Sequence, residues 1–269
     1  MIYSFPNSSG ITPSRPVIAS FRSIAALMLR EMSSRYGQSV GGYIWAILEP
    51  LGTIAILAIG FSLIMHSPPL GTSFVLFYAT GFLPFLLFQN VQLAVSRALI
   101  FSKPLLAYPA VGWIDAILAR FLLNVLTGVL VTYILLAGIL AVTDTTSPLL
   151  PGPVLGALAL ASLLGLGIGA LNCFLMGVLP VWAQIWSIIT RPLFLASGIL
   201  LLLEDLPRWA QDILWFNPLV HVVALMRSGF YPMYQPQYVT ISYALLVALL
   251  PLALGLLLLR RFHRKILTR

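Results

Sequence analysis

Six long apolar segments constrain the fold of this chain more than any motif does. They cover residues 44–65, 74–96, 117–142, 153–179, 185–203 and 241–259. About 20 consecutive apolar residues cross a bilayer as a helix, and in lipid a helix satisfies its backbone hydrogen bonds internally. Only 8% of the 269 residues are charged, against about 25% in soluble domains. We therefore predict an all-α integral membrane protein with a six-span domain over 44–259.

The distribution of basic residues predicts the orientation of these spans. Lys and Arg are enriched in cytoplasmic loops, and in this chain they cluster on one side of the predicted topology. The connectors on the opposite side hold only Arg208 and Arg227. We therefore expect both termini in the cytoplasm, with 1–43 as the N-terminal region and 260–269 as a basic tail. The basic residues behind the net charge of +8 are then expected to set the topology and to contact lipid headgroups. Nucleic acid is not an expected partner.

The sequence contains no motif that would carry out chemistry. It has no G-x-x-x-x-G-K-[ST] phosphate loop and no G-x-S-x-G turn. The three histidines lie far apart, and the single cysteine, Cys173, lies in an apolar run, so we expect no metal site. We predict a non-enzymatic conduit or scaffold without a cofactor of its own. Transport would then need an energy source from a partner.

The segment before the first span predicts an amphipathic helix. Apolar residues recur at helical spacing between Ile18 and Met32, a pattern typical of helices that lie in the membrane interface. Gly41 and Gly42 follow, and glycine weakens helix continuity, so we expect a hinge there. The helix is either a simple anchor or a lever on the first span. Arg30 and Arg35 are candidate contacts to a soluble partner.

The loop between the second and third spans is too apolar for a solvated linker. We predict a short helix that Pro104 ends near Lys103. The helix would present Leu99, Ile100 and Phe101 toward the cytoplasm or the membrane surface. The segment is either a plain surface turn or a docking element. On the second interpretation, Leu99, Ile100, Phe101 and Lys103 bind an energy-supplying partner.

Three ionisable residues fall deep in the predicted spans: Glu49, Arg120 and Arg191. A charge at membrane depth is costly and normally has a partner or a function. Glu49 is the carboxylate available inside the membrane to neutralise the two arginines, which favours a structural pairing. The alternative is substrate contact, because one arginine left over would suit an anionic lipid phosphate.

Aromatic residues form a stripe along the second span. They fall within an arc of about 140° if the helix stays regular despite Pro84. Such a stripe packs helices together, or it offers flat apolar faces to sugar rings. On the second interpretation, the candidates for a substrate path are Phe77, Tyr78, Phe85 and Phe88, together with Trp45 of span one and Phe194 of span five.

Small residues recur every fourth position in the fourth span, at Ala157, Ala161, Gly165 and Gly169. This spacing lets helix backbones approach closely. We expect it to be a packing face.

The segment after the fifth span, 206–231, predicts two short amphipathic helices divided at Asn217 and Pro218. Trp209 and Trp215 suit the membrane interface, and His221 and Arg227 belong to the second helix. Backbone at membrane depth must be helical or shielded by protein. We therefore predict an external, re-entrant helical hairpin.

Three segments, Arg30 to Leu51, Tyr108 to Arg120 and Asn217 to Arg227, resemble the ABC-2 type permeases, most closely the capsular polysaccharide export permeases of the KpsM family. The similarity extends over nearly the whole chain. It implies a homodimer that docks a pair of separate ATPase subunits, which bind ATP and Mg, and passes a lipid-linked polysaccharide across the bacterial inner membrane. By the same resemblance, 17–36 is the interface or gate helix, 97–108 the coupling helix and 206–231 the re-entrant region.

The resemblance also implies a periplasmic co-polymerase and outer-membrane export proteins as partners. Relatives commonly have a carboxylate where this chain has Asn124, and often another at the position of Ala224, so the charge pattern of the pore is expected to differ. The favoured substrate is an acidic, lipid-anchored capsular polysaccharide. Another lipid-linked glycan, such as O-antigen or teichoic acid, is the near alternative, and a membrane-embedded lipid-modifying enzyme is the distant one.

Overall fold

In a computed structural model of the protein, the described residues are 17–36, 42–106, 111–143 and 148–268, and these are helical with no β-strand among them. Their helices are α1 (Val17–Tyr36), α2 (Gly42–Ser62), α3 (Phe74–Ser96), α4 (Ala98–Leu106), α5 (Trp113–Val142), α6 (Pro151–Val178), α7 (Trp182–Leu195), α8 (Arg208–Leu214), α9 (Pro218–Phe230) and α10 (Ile241–Thr268). The predicted hinge residue Gly41, positions 107–108 of the predicted coupling helix and the side chain of Arg35 lie outside the described residues.

Five of the described helical segments are long and apolar enough to cross a membrane, namely α2, α3 with α4, α5, α6 and α10. A sixth crossing is counted only if α8 and α9, which meet at 101°, form one broken span. The all-α membrane fold is therefore confirmed.

The predicted fifth span, 185–203, is not one continuous helix. Helix α7 has only 14 residues and contains Pro192, and it ends at Leu195. The chain then turns at Gly198, whose φ of +71° lies in the left-handed region that side chains disfavour. A proline in the last turn and a left-handed glycine after it explain the early end of the helix.

Two helix boundaries also differ from the prediction. Helix α4 continues through Pro104 to Leu106, because packing against α5 and α6 outweighs one lost backbone hydrogen bond. Helix α10 continues past position 259 to Thr268, so the basic C-terminal residues extend the last helix rather than forming a separate tail.

Helix α3 is the centre of the bundle. It packs against α2, α5, α6 and α9, and most of its residues are buried. Its first turn is capped by Ser73, whose hydroxyl accepts a hydrogen bond of 3.3 Å from the Leu76 amide. It remains helical through Pro84. A helix that is apolar on all sides can occupy the centre only if its neighbours approach it closely.

Small residues of α6 provide that close approach. A Cβ at Gly165 would come within 2.9 Å of Val91 of α3, and one at Gly169 within 2.8 Å of Val95. On another face of α6, a Cβ at Gly167 would overlap the Ala248 carbonyl of α10. The predicted packing face is confirmed, and α6 also uses glycine to contact a second helix.

This packing predicts that Gly165→Leu destabilises the bundle, because the added side chain meets Val91 and the Phe88 carbonyl. Overpacking costs about 3 kcal/mol at the upper end of its usual range. The matched control is Gly138→Leu on α5, where an added Cβ meets nothing within 4 Å. Thermal unfolding in detergent should show a lower Tm for Gly165→Leu alone. Equal Tm values for the two variants would contradict this account of the α3–α6 contact.

Candidate functional site

A cavity lined by apolar residues and a few polar ones lies between α2, α3 and α5, and we call it the polar cavity after the latter. It has a volume of about 350 Å³, and its walls include Trp45 and Glu49 of α2, Asn90 of α3, and Asn124 and Thr127 of α5. The Asn124 amide donates a hydrogen bond of 2.8 Å to the Arg120 carbonyl. Amide, hydroxyl and carboxylate groups beside an indole ring suit a hydroxyl-rich ligand, since aromatic faces and a few polar groups define most ligand pockets.

Glu49 contacts this cavity but does not pair with Arg120, so the predicted pairing is wrong for Arg120. Glu49 and Arg191 are both exposed, and no ion pair joins either of them to another described residue. Glu49 projects from the first third of α2, whereas the Arg120 guanidinium points toward α1. Of the three predicted path charges, the structure therefore places only Glu49 on the cavity wall.

Arg120 pairs instead with Glu31 of α1. Its Nη2 lies 3.0 Å from one carboxylate oxygen, and its Nε donates to the other at 3.1 Å. The side chains are 11% and 5% exposed, so the pair is shielded from solvent. Arg120 Nη1 also donates to the Ala94 carbonyl of α3 at 2.9 Å. One guanidinium thus ties α1 and α3 to the start of α5.

Phe101 of α4 completes this junction. Its ring lies 4.1 Å from the Arg120 guanidinium carbon and 5.7 Å from that of Arg30, distances typical of cation–π contacts. One turn before Glu31 on α1, Leu27 packs with Ala116 and Ala119 of α5. Helices α1 and α4 are therefore linked through Arg120, and a movement of either would reach α3 and α5.

This geometry predicts that Arg120 and Glu31 are energetically coupled. Breaking a buried pair by removing one partner costs about 3 to 5 kcal/mol. Glu31→Ala, Arg120→Ala and the double variant should therefore show a non-additive loss of stability. The matched control is a second cycle with Glu49→Ala and Arg120→Ala, which should be additive. Chemical unfolding of the purified variants measures both cycles. Coupling in the Glu49 cycle and none in the Glu31 cycle would contradict the observed pair.

Helix α4 presents a smaller docking surface than the sequence predicts. Leu99 is buried in the core because it faces the bundle, so its assignment to the docking surface is wrong. Ile100 is 56% exposed and Phe101 is 38% exposed, and Lys103 is also exposed. With Arg30 of α1, these residues form an exposed cationic and apolar surface at the end of the bundle that carries α1 and α4. We call it the docking surface, and its contact with a partner stays a prediction.

The aromatic stripe of α3 lies in the interior of the bundle. Phe77, Tyr78, Phe85 and Phe88 are all buried. Phe85 makes an edge contact with Phe194 of α7 at a centroid distance of 5.6 Å. In this conformation these rings pack helices together. Their contact with a substrate stays a prediction, whereas Trp45 is exposed and lines the polar cavity.

The predicted hairpin has the expected break. Asn217 caps α9 by accepting a hydrogen bond of 3.1 Å from the Leu219 amide, Pro218 occupies the first turn, and the Asn217 amide donates to the Ala196 carbonyl at 2.9 Å. His221 Nδ1 accepts from the Thr240 amide at 3.2 Å, so its Nε2 donates to the Trp215 carbonyl at 2.9 Å. Both ring nitrogens have protein partners, which is typical of a structural histidine. Trp209 is exposed on α8.

Arg227 of α9 is buried and holds the turn after α7. It donates to the Gly198 and Ile199 carbonyls at 2.7 and 2.8 Å, and its guanidinium carbon lies 4.0 Å from the Phe77 ring centroid. Burial raises the pKa values of the nearby Tyr231 and Tyr238 to about 12, so both phenols are neutral at physiological pH. Backbone carbonyls and an aromatic face, rather than a phenolate, therefore stabilise the arginine.

Replacing Arg227 by Met should destabilise the protein by about 3 kcal/mol or more, because two hydrogen bonds from a charged donor contribute about 1.5 to 3 kcal/mol each. The stability of Arg227→Lys should fall between those of the unsubstituted protein and Arg227→Met, since an ammonium keeps the charge but lacks the planar shape of the guanidinium. The control is Arg208→Met, because Arg208 is exposed. Thermal unfolding in detergent ranks the three variants. A Tm for Arg227→Met equal to that of Arg208→Met would show that the hydrogen bonds of Arg227 add no stability.

Glu31, Asn90 and Thr127 are site residues that sequence reasoning missed. Glu31 is one of only seven acidic residues in the chain, and that rarity was the available signal. Asn90 lies in a long apolar segment, where a polar side chain usually has a function or a partner. Among the described residues, no group of three or more His, Cys, Asp or Glu side chains is arranged to hold a metal ion.

The fold and cavity define a class of protein: a helical membrane protein in which surface helices connect to a transmembrane core with a cavity. The family model for ABC-2 type transporters matches residues 22–231. The chain belongs to the ABC-2 type transporter family.

Curated relatives cover nearly the whole chain. The polysialic acid transport protein KpsM of Escherichia coli is 34% identical over 91% of this chain and 95% of its own length. The capsule polysaccharide export inner-membrane protein BexB of Haemophilus influenzae is 27% identical over 90% of this chain and 92% of its own length. The protein CtrC of Neisseria meningitidis, with the same description, is 24% identical over the same two shares.

Proposed function

We propose that this chain is the membrane subunit of an ATP-driven exporter that moves a lipid-linked, acidic capsular polysaccharide across the bacterial inner membrane. The observation that carries this proposal is the similarity to KpsM, which extends over 91% of the chain at 34% identity. A similarity of that extent includes the cavity, the docking surface and the re-entrant helices together. The curated relatives reported above are described as transport or export proteins for polysialic acid or capsule polysaccharide.

The cavity between α2, α3 and α5 is the proposed start of the substrate path. Trp45 offers a flat ring to a sugar, while Asn90, Asn124 and Thr127 offer hydrogen bonds to hydroxyl groups. Such contacts are numerous and individually weak, which suits a polymer that has to move on. The path beyond the cavity is proposed to follow the aromatic residues Phe77, Tyr78, Phe85, Phe88 and Phe194, and it requires the helices around α3 to separate.

The energy is proposed to come from two ATPase subunits that bind ATP and Mg and act on a homodimer of this chain. The docking surface of Arg30, Ile100, Phe101 and Lys103 combines cationic and apolar side chains. It is joined through Arg120 to α3 and α5. A push on α1 or α4 would therefore reach two helices that line the cavity.

The proposed orientation places both termini, α1 and α4 in the cytoplasm, because the basic residues cluster at that end. The re-entrant helices α8 and α9 would then lie at the outer face. A polymer leaving there would pass to a periplasmic co-polymerase and outer-membrane export proteins, the remaining proposed partners.

Copurification tests this proposal. The purified chain alone should hydrolyse no ATP, whereas the protein isolated from its native membrane should bring an ATPase subunit with it. Ile100→Asp should release the ATPase, because a charge forced into an apolar contact is costly. The matched control is Met233→Asp, at an exposed residue outside the docking surface, and it should retain the ATPase at normal stoichiometry.

Two results would contradict the proposal at different levels. ATPase retention by Ile100→Asp at the level of Met233→Asp would remove α4 from the docking surface. ATP hydrolysis by the isolated chain, or native membranes that yield no ATPase with the unsubstituted protein, would overturn the assignment as an exporter subunit.

A further inference from the structure

Among the described residues, two opposite charges lie exposed within the apolar helices α2 and α7. Glu49 lies on α2 and Arg191 on α7, and both are exposed. Neither forms an ion pair with any described residue. The other two arginines of the membrane region behave differently, since Arg120 pairs with Glu31 and Arg227 bonds to backbone carbonyls.

Apolar side chains are exposed next to both charges, and Glu49 also borders the cavity that contains Asn90 and Asn124. Trp45 and Leu48, which share the face of α2 with Glu49, are exposed, and so are Ile188 and Leu195 beside Arg191. Helix α7 has no buried residue at all. Apolar exposure alone is normal at a lipid boundary, but a charge at the centre of such a face is not, because hydrocarbon does not solvate it. Something other than lipid must cover both faces.

The two charges lie at similar distances along their helices from the helix starts. Helices α2 and α7 start at the same end of the bundle, because α3, α5 and α6 cross in alternating directions between them. At 1.5 Å per residue, Glu49 lies about 10 Å and Arg191 about 14 Å from the starts of their helices. The difference is smaller than the combined reach of the two side chains.

Within one chain the two helices do not meet through these charges. Helix α2 packs on α3 and α5, whereas α7 packs on α6 and, through Phe194, on α3, and no ion pair joins Glu49 to Arg191. The opposite charges therefore lie on two separate faces of the same molecule. In a two-fold symmetric dimer, the Glu49 face of each copy can contact the Arg191 face of the other, so the contact occurs twice.

We propose that Glu49 pairs with Arg191 of a second copy of the chain, so that two symmetric ion pairs hold α2 against α7 of the partner in the membrane. This inference rests on the proposed homodimer and names its contact. The pair would lie at the open edge of the cavity that Trp45 and Glu49 line. The second copy would thus supply a wall that one chain lacks.

Charge reversal tests the pair. Glu49→Arg places two cations together and Arg191→Glu places two carboxylates together, so each should weaken the dimer by roughly 100-fold or more. The double variant, Glu49→Arg with Arg191→Glu, restores opposite charges and should recover most of the dimer. Dimer formation is measured on the complex with its ATPase by light scattering in detergent. Full dimerisation of both single variants, or no recovery in the double variant, would overturn the proposal.

Crosslinking between differently tagged copies tests the contact directly. With Cys173→Ala as background, one copy carries Glu49→Cys and the other Arg191→Cys, and a short bifunctional methanethiosulfonate should join them as a two-tag dimer. The matched control replaces Glu49→Cys by Ile56→Cys, an exposed position of α2 about two turns further along the helix. It should give far less product. Equal yields from both combinations would contradict the pairing.

The outcomes separate this inference from the proposed function. If Glu49 and Arg191 contact the substrate instead, the reversed single variants remain dimeric with bound ATPase and lose only export, which overturns the pair and leaves the exporter assignment intact. If the unsubstituted protein is monomeric in native membranes and binds no ATPase, the proposed function itself fails.

Discussion

The cost of an unpaired polar group in hydrocarbon is the constraint on which the rest of this structure depends. Lipid offers no hydrogen bonds, so backbone must be helical or shielded and each charge needs a partner. Arg120 meets the requirement with Glu31 and the Ala94 carbonyl. Arg227 meets it with the carbonyls of the turn after α7. Both arginines therefore join elements that are far apart in sequence.

These two arginines make their contacts at opposite ends of the helical bundle. Arg120 links α1 and α4, the proposed receivers of force, to the helices that line the polar cavity. Arg227 fixes α9 against the end of α7, at the opposite end of the bundle. Between them, glycines of α6 bring α3 close. The proposed path begins in the cavity between α2, α3 and α5.

The sequence was sufficient where local patterns decide structure. Long apolar runs predicted five of the six spans, the four-residue spacing that includes Gly165 predicted the α6 packing face, and Asn217 with Pro218 predicted the break between α8 and α9. In each case a short-range rule leaves a single solution in lipid. The orientation of the termini and the homodimer stay predictions.

Long-range contacts could not be predicted in the same way. Glu31 and Arg120 are 89 positions apart, and Glu49 was an equally suitable carboxylate by sequence alone. Leu99 and Ile100 differ only in which side of a nine-residue helix they occupy, and an apolar pattern does not distinguish the core from a partner. Helix α7 ends early because of Pro192 and the turn at Gly198. Arg227 holds that turn, and its position could not be predicted from the sequence.

We propose that this chain forms the path by which an ATPase drives a lipid-linked polysaccharide through the membrane. The most direct test is transport in proteoliposomes that contain the protein, its copurified ATPase and a lipid-linked acidic glycan on the side where ATP is added. The account predicts that the glycan becomes inaccessible to an added glycan hydrolase only when ATP and Mg are present. Glycan that remains fully accessible, despite ATP hydrolysis by an intact complex, would contradict it.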